Sequence, residues 1–222
     1  MKGKNMEKPL RVYWAGDLFN FKDLLGNLQL ARAVEKASGG KYAVFLPQDG
    51  EANHTRTTSI RDQDLLNVIN ADLLIANFDG CDLDSGTVVE FMVAKMLDIP
   101  ALLLRTDFRI AGDQSQGADH WNLMCSHYPR SRTLQLDAMR LYAAARAEGR
   151  GPEGVTAGFL AALTREITAN LETLLAEKPV FPADADYLRA MYRHVITACG
   201  AGLAAHFPDA EIEKIVRWRL GE

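Results

Sequence analysis

Short apolar runs alternate with longer amphipathic stretches from Leu10 to Leu136, a rhythm that predicts strands interleaved with helices. Leu10–Ala15 reads as a first strand ending at Gly16-Asp17. From about Phe21 to Ala37 the apolar residues Leu24, Leu25, Leu28, Leu30, Ala31 and Val34 follow helical spacing, and Ser38-Gly39-Gly40 is a C-cap signal. Tyr42–Leu46 is a second strand, halted by Pro47. Gln48–Ser59 is polar and reads as loop, and Ile60–Asn70 as a short helix. Leu73–Ala76 is a third, buried strand that opens into a loop carrying Asp79, Asp82 and Asp84. Ser85-Gly86 begins an apolar helix that stops before Pro100, because a residue preceding proline is pushed out of helical geometry. Ala101–Leu104 is the fourth strand. Alternation of this kind predicts an α/β fold, a parallel sheet covered by helices on both faces, with ligands at the carboxyl ends of its strands.

Beyond Arg105 the pattern loosens. Arg105–Arg132 is long, polar and broken by glycines, yet carries Trp121, Leu123 and Met124; loops this long in compact domains are usually functional or disordered. Thr133–Leu136 is a last strand candidate. Asp137–Ala147 and Val155–Glu177 read as helices separated by a Gly149–Gly154 turn. At Lys178 the composition changes, with Pro179 and Pro182 as a linker before helices at about Asp184–Leu203 and Asp209–Leu220. Two units are therefore expected: 10–177, an α/β domain, and 178–222, a helical C-terminal extension.

Composition narrows the function classes. With 48% hydrophobic and 24% charged residues, the 222-residue chain is that of an ordinary globular protein. A net charge of −4 and a pI near 5.8 give no footprint for nucleic acid or an anionic membrane as main partner. No apolar run reaches the roughly 20 residues needed to span a bilayer, and no signal-peptide core follows the basic Met1–Pro9 segment. Three cysteines, Cys81, Cys125 and Cys199, lack metal-type spacing and fit a reducing cytoplasm. No phosphate-cradling glycine loop, dinucleotide fingerprint or Gly-x-Ser-x-Gly elbow is present. Neither a metal nor another cofactor is expected.

Glu90 is the odd residue of the chain, a carboxylate on a helix that is apolar almost all round. Read from the residues alone, it is either a nucleophile toward an anomeric carbon or half of a structural ion pair in a subunit contact. Asp84 and Ser85 are equally N-cap candidates, Asp79 and Asp82 turn residues, Asp64 a dipole-favoured surface charge, and Tyr13 a packing residue. Still, three carboxylates converging at a strand's end repel one another. That repulsion raises at least one pKa, as a proton donor requires.

Four segments, in order, resemble the nucleoside 2-deoxyribosyltransferase family. They are Val12-Tyr13-Trp14-Ala15-Gly16; Arg61-Asp62-Gln63-Asp64-Leu65 with Ala71-Asp72; Asp84-Ser85-Gly86-Thr87-Val88-Val89-Glu90; and Trp121-Asn122-Leu123-Met124. The resemblance spans roughly Leu10 to Tyr128, and its most specific part is Asp-x-Gly-x-x-x-Glu. It implies a flavodoxin-like fold and transfer of 2-deoxyribose between nucleobases, with deoxynucleoside and free base as partners in a homo-oligomer paired across the active site. Glu90 would attack the anomeric carbon and hold deoxyribose covalently, with Tyr13 orienting it. Asp64 and Asp84 would bind the base, one of them protonating it. Gln48 would contact the base edge and Asn122 the 5′-hydroxyl, in a substrate-binding set completed by Gly16, Asp79 and Met124. The sequence departs from the family where Asp17 stands in place of a common proline, and in 178–222. The alternatives are an N-glycosidase acting on deoxynucleosides or their 5′-monophosphates, and a nucleoside-binding module without turnover. The acidic, apolar turn Asp17-Leu18-Phe19-Asn20 would repel a phosphate.

Overall fold

A computed structural model describes residues 8–51, 57–109, 119–149, 151–200 and 202–222. Five strands, β1 (Leu10–Ala15), β2 (Tyr42–Phe45), β3 (Leu73–Asn77), β4 (Ala101–Arg105) and β5 (Ser131–Gln135), form one sheet. Its order is β2-β1-β3-β4-β5, with every neighbouring pair parallel. This is the flavodoxin-like order, whose winding reverses between β1 and β3 and leaves a crevice at their carboxyl ends. The helices are α1 (Phe21–Ala37), α2 (Pro47–Glu51), α3 (Thr57–Ile69), α4 (Ser85–Met96), α5 (Ala138–Ala147), α6 (Pro152–Leu175), α7 (Ala185–Cys199) and α8 (Asp209–Leu220).

Strand periodicity divides the core in two. On β1, Val12 and Trp14 join the cluster formed with Leu30, Ala31 and Val34 of α1 and with Leu163, Ile167 and Leu171 of α6. Their neighbours Tyr13 and Ala15 face the opposite cluster, with Leu65 and Val68 of α3 and Phe91 and Ala94 of α4. The same split sends Leu74 and Ala76 of β3 one way and Leu73 and Ile75 the other.

The C-terminal helices close the α3–α4 face. Tyr192, Val195 and Ile196 of α7 and Ile212 and Val216 of α8 are buried in the same cluster as Leu65 and Phe91. Polar ties fix them: the Trp218 indole donates to Asp72 (2.5 Å), and Arg219 donates to the Ala71 carbonyl (2.6 Å) and the Tyr192 hydroxyl (3.0 Å). The connecting segment is held by Asp98, which accepts from the Val180 amide at 2.9 Å and pairs with Arg130 at 3.0 Å. None of the described helices is long and apolar enough to cross a membrane.

The structure corrects several expected boundaries, and two corrections share a cause. Pro47 opens α2, so Gln48–Glu51 is helical where a loop was expected, and α3 already begins at Thr57. Pro152 likewise opens α6, three residues before the expected start and inside the expected turn. A proline whose fixed φ suits the first helical turn starts a helix as readily as it stops a strand. Residues 52–56 of the expected Gln48–Ser59 loop lie outside the described residues, as do 110–118 of the expected Arg105–Arg132 loop. The rest of that second stretch is not all loop, since Arg105 ends β4, Leu123–Cys125 is a single 3-10 turn, and Ser131 opens β5. Helix α7 ends at Cys199, where Gly200 adopts φ +80°, rather than reaching Leu203.

Candidate active site

Asp84, not Ser85, caps α4. Its Oδ2 accepts from the Thr87 amide at 2.6 Å and from the Thr87 hydroxyl at 2.9 Å. Gly86 makes that fold-back possible, because a Cβ there would stand 3.0 Å from Asp84 Oδ2. The Asp-x-Gly part of the motif is thus a cap with room for its own carboxylate. Glu90 follows in the second turn of α4, where the favourable field of the helix N-terminus has largely faded. A specific partner replaces it: the Tyr13 hydroxyl donates to Glu90 Oε1 at 2.7 Å.

Tyr13 is buried in the floor at the end of β1, 1% exposed. Burial foremost, then the charges of Glu90 and Asp64 and hydrogen bonds to both, hold its hydroxyl well above the ordinary tyrosine pKa. It therefore stays protonated and able to donate. Over this floor opens a cleft of about 300 Å³ lined by Gly16, Leu18, Phe19, Pro47, Asp64, Asp84, Ser85, Gly86, Thr87 and Glu90. Four segments supply it: the loop after β1, the start of α2, α3 and the first turns of α4.

Five of the sequence-predicted residues are brought together here, Tyr13 beneath the cleft and Gly16, Asp64, Asp84 and Glu90 in its wall. The other four sit elsewhere. The Gln48 side-chain amide donates to the Leu24 carbonyl of α1 at 2.9 Å, and only its neighbour Pro47 reaches the cleft. Asp79 accepts from the Thr106 amide (2.5 Å), the Thr106 hydroxyl (2.7 Å) and the Asp107 amide (2.7 Å), tying the loops after β3 and β4 together. Asn122 accepts from the Met124 amide at 3.0 Å. With Met124 it lines a separate cavity of about 940 Å³ on the other side of the α4 N-terminus, bordered by Ser85, Val88 and Arg105.

Three contributors were missed in the sequence. Thr87 carries both bonds that hold Asp84. Arg105 is 1% exposed and donates to the carbonyls of Phe78 (2.5 Å), Gly80 (3.0 Å) and Arg109 (3.0 Å), so a buried guanidinium shapes the acidic loop. An arginine closing an apolar strand was the available signal. Asp17 is the third: burial first, then Asp84, Asp23 and Asp79, push its carboxyl up. The repulsion among carboxylates at this end of the sheet is felt on the turn that faces the Asp79–Asp84 loop.

The sequence model of the nucleoside 2-deoxyribosyltransferase family matches residues 12–136, more than half of the 222-residue chain. Among solved structures, the chain is similar to a conserved protein from Enterococcus faecalis V583, with 25% identity and a TM-score of 0.49 over 58% of this chain and 92% of that one. It is similar to a 2-desoxiribosyltransferase from Leishmania mexicana, with 22% identity and a TM-score of 0.47 over 69% and 98%. It is also similar to a 2-deoxyribosyltransferase from Bacillus psychrosaccharolyticus, with 22% identity and a TM-score of 0.40 over 46% and 77%. No curated protein sequence matches the chain.

Proposed function

Because the chain belongs to the nucleoside 2-deoxyribosyltransferase family, we propose that it moves 2-deoxyribose from one nucleobase to another through a covalent intermediate on Glu90. A Glu90 oxygen attacks C1′ of a 2′-deoxynucleoside as the C1′–N bond breaks, and the bond's electron pair leaves with the base. A neighbouring acid gives the departing base a proton. The incoming base then displaces Glu90 by the reverse steps and returns that proton. The observation that carries this reading is the 2.7 Å bond from a buried, protonated Tyr13 to Glu90 beneath an acid-lined cleft. One hydrogen bond to a charged group contributes about 1.5–3 kcal/mol, enough to fix the nucleophile's orientation.

Position supports Asp64 as the acid. It shares the Tyr13 hydroxyl with Glu90 and lines the same cleft, within reach of a base departing from the nucleophile. Asp84 instead is held in place by an N–H and an O–H from Thr87. Asp64 thus serves as proton donor and Asp84 as the fixed acceptor at the base edge. The protein is proposed to work in the cytoplasm as a homo-oligomer of two-part chains, 10–177 and 178–222. A neighbouring copy would meet the exposed Val89, Leu123 and Met124 beside Asn122.

The test is chromatography of 2′-deoxyinosine with free adenine or cytosine as acceptor, beside Glu90→Ala. A new deoxynucleoside, lost in Glu90→Ala, is expected. Free base without a new nucleoside would make the enzyme a hydrolase. No consumption of any deoxynucleoside or its monophosphate would leave a binding module.

A further inference from the structure

The carboxyl end of the sheet carries another cavity, on the α1–α6 face, that the proposed chemistry does not use. It measures about 440 Å³, within the range of pockets that hold small ligands, and opens between α1, α5 and α6 above the ends of β1, β3 and β4. Its walls are largely apolar or aromatic, with Leu160 and Phe159 from α6 and Tyr142 from α5. Two of its polar groups are unsatisfied. The Trp14 indole N–H and Asn77 Oδ1 are both buried without a hydrogen-bond partner among the described residues. Buried polar groups are as a rule hydrogen-bonded, so an orphaned donor and an orphaned acceptor in one cavity are a feature in need of a purpose. Both side chains stand against Gly16, where a Cβ would come within 3.3 Å of Trp14 Nε1 and 3.0 Å of Asn77 Cβ.

The geometry points to a second ligand site that takes an uncharged lactam-bearing heterocycle, a free nucleobase of the hypoxanthine or uracil type. A donor and an acceptor in the lining of one cavity complement an –NH–C=O edge, the carbonyl accepting from Trp14 and the N–H donating to Asn77. The aromatic walls suit a flat ring. Charge selects against nucleotides, because Asp23 and Asp79 line the cavity against one lysine, Lys22. Gly16 separates this site from the Glu90 cleft, touching Trp14 and Asn77 on one side while lining the cleft on the other. A base bound here presses on the wall of the first site.

Gly26 of α1 provides the test. It lines the cavity, and a Cβ added there meets nothing within 4 Å, so Gly26→Leu fills the space without a clash. Equilibrium dialysis of the full chain with radiolabelled hypoxanthine should give two bound equivalents per wild-type chain and one for Gly26→Leu. The Gly26→Leu chain should keep its base exchange, or its base release if the enzyme proves a hydrolase. A wild-type stoichiometry of one or none, or a value of two unchanged by Gly26→Leu, overturns the second site. Failure of the deoxyribosyl chemistry would show instead as no turnover of any deoxynucleoside, whatever the stoichiometry.

Discussion

Two of the cavities at the carboxyl end of the sheet are served by adjacent residues of one strand. Tyr13 points to the α3–α4 face and meets Glu90; Trp14 points to the α1–α6 face, where its indole N–H has no hydrogen-bond partner among the described residues. The first cleft is the smaller, about 300 against 440 Å³, but its polar groups interlock: hydroxyl to carboxylate, and carboxylate to helix cap. The second has apolar walls and open hydrogen-bonding positions. A site poised for bond cleavage needs its charges held before substrate arrives, whereas a site that only binds can leave a donor and an acceptor for the ligand. The period of two along β1 is what lets one strand serve both.

The contrast breaks most sharply at Glu90. Glu90→Ala should lower deoxyribosyl transfer by about four orders of magnitude or more, with hypoxanthine binding to the α1–α6 cavity unchanged by dialysis. Asp64→Asn should cost on the order of 10²–10⁴-fold on ordinary deoxynucleosides, the usual worth of a general acid. It should cost far less on 7-methyl-2′-deoxyguanosine, whose cationic base departs without a proton. Equal losses on both substrates would remove Asp64 from that role. Tyr13→Phe should fall about 10- to 100-fold in kcat, the equivalent of one hydrogen bond to a charged group, and a rate within two-fold of wild type would break the link between floor and nucleophile.

Smaller effects sharpen the boundary between the two cavities. The Asp17 carboxyl is raised by burial first and then by Asp84, Asp23 and Asp79, so its ionised form is disfavoured in the folded chain. The stability it contributes is present below its unfolded pKa and lost as pH rises through its raised folded pKa. Asp17→Asn should therefore raise the Tm at neutral pH, with the gain closing on acidification through the carboxylate range. A pH-independent Tm difference would dismiss the electrostatic account. Gly26→Leu should stabilise α1 by about 1 kcal/mol through helix propensity alone, seen as a small rise in the urea midpoint. Lys95 offers a control remote from both cavities. Burial, chiefly, lowers its pKa to about 8, so the folded chain binds fewer protons there than the unfolded chain. Stability should climb as pH rises from about 8 towards the ordinary lysine value, and a Lys95→Met chain should lose that slope.

Sequence periodicity by itself determined the order of strands and helices, because a two-residue alternation and a 3.6-residue stripe are written in local composition. It also carried the Asp84–Glu90 spacing, which sets both groups on one short stretch of α4. Helix starts at Pro47 and Pro152 were misread, since proline punctuates strands and opens helices with the same fixed φ. What the tertiary structure alone decided is which residues meet. Tyr13 and Glu90 are 77 positions apart, and only the packing of α4 over β1 brings them to 2.7 Å. Gln48, Asp79, Asn122 and Met124 form one set in the sequence reading, yet the fold turns Gln48 to α1, ties Asp79 to the loop after β4 and sets Asn122 with Met124 in a separate cavity. The Trp14 cavity had no sequence signal at all, because a void is a property of three helices failing to close over a sheet, and no single segment records it.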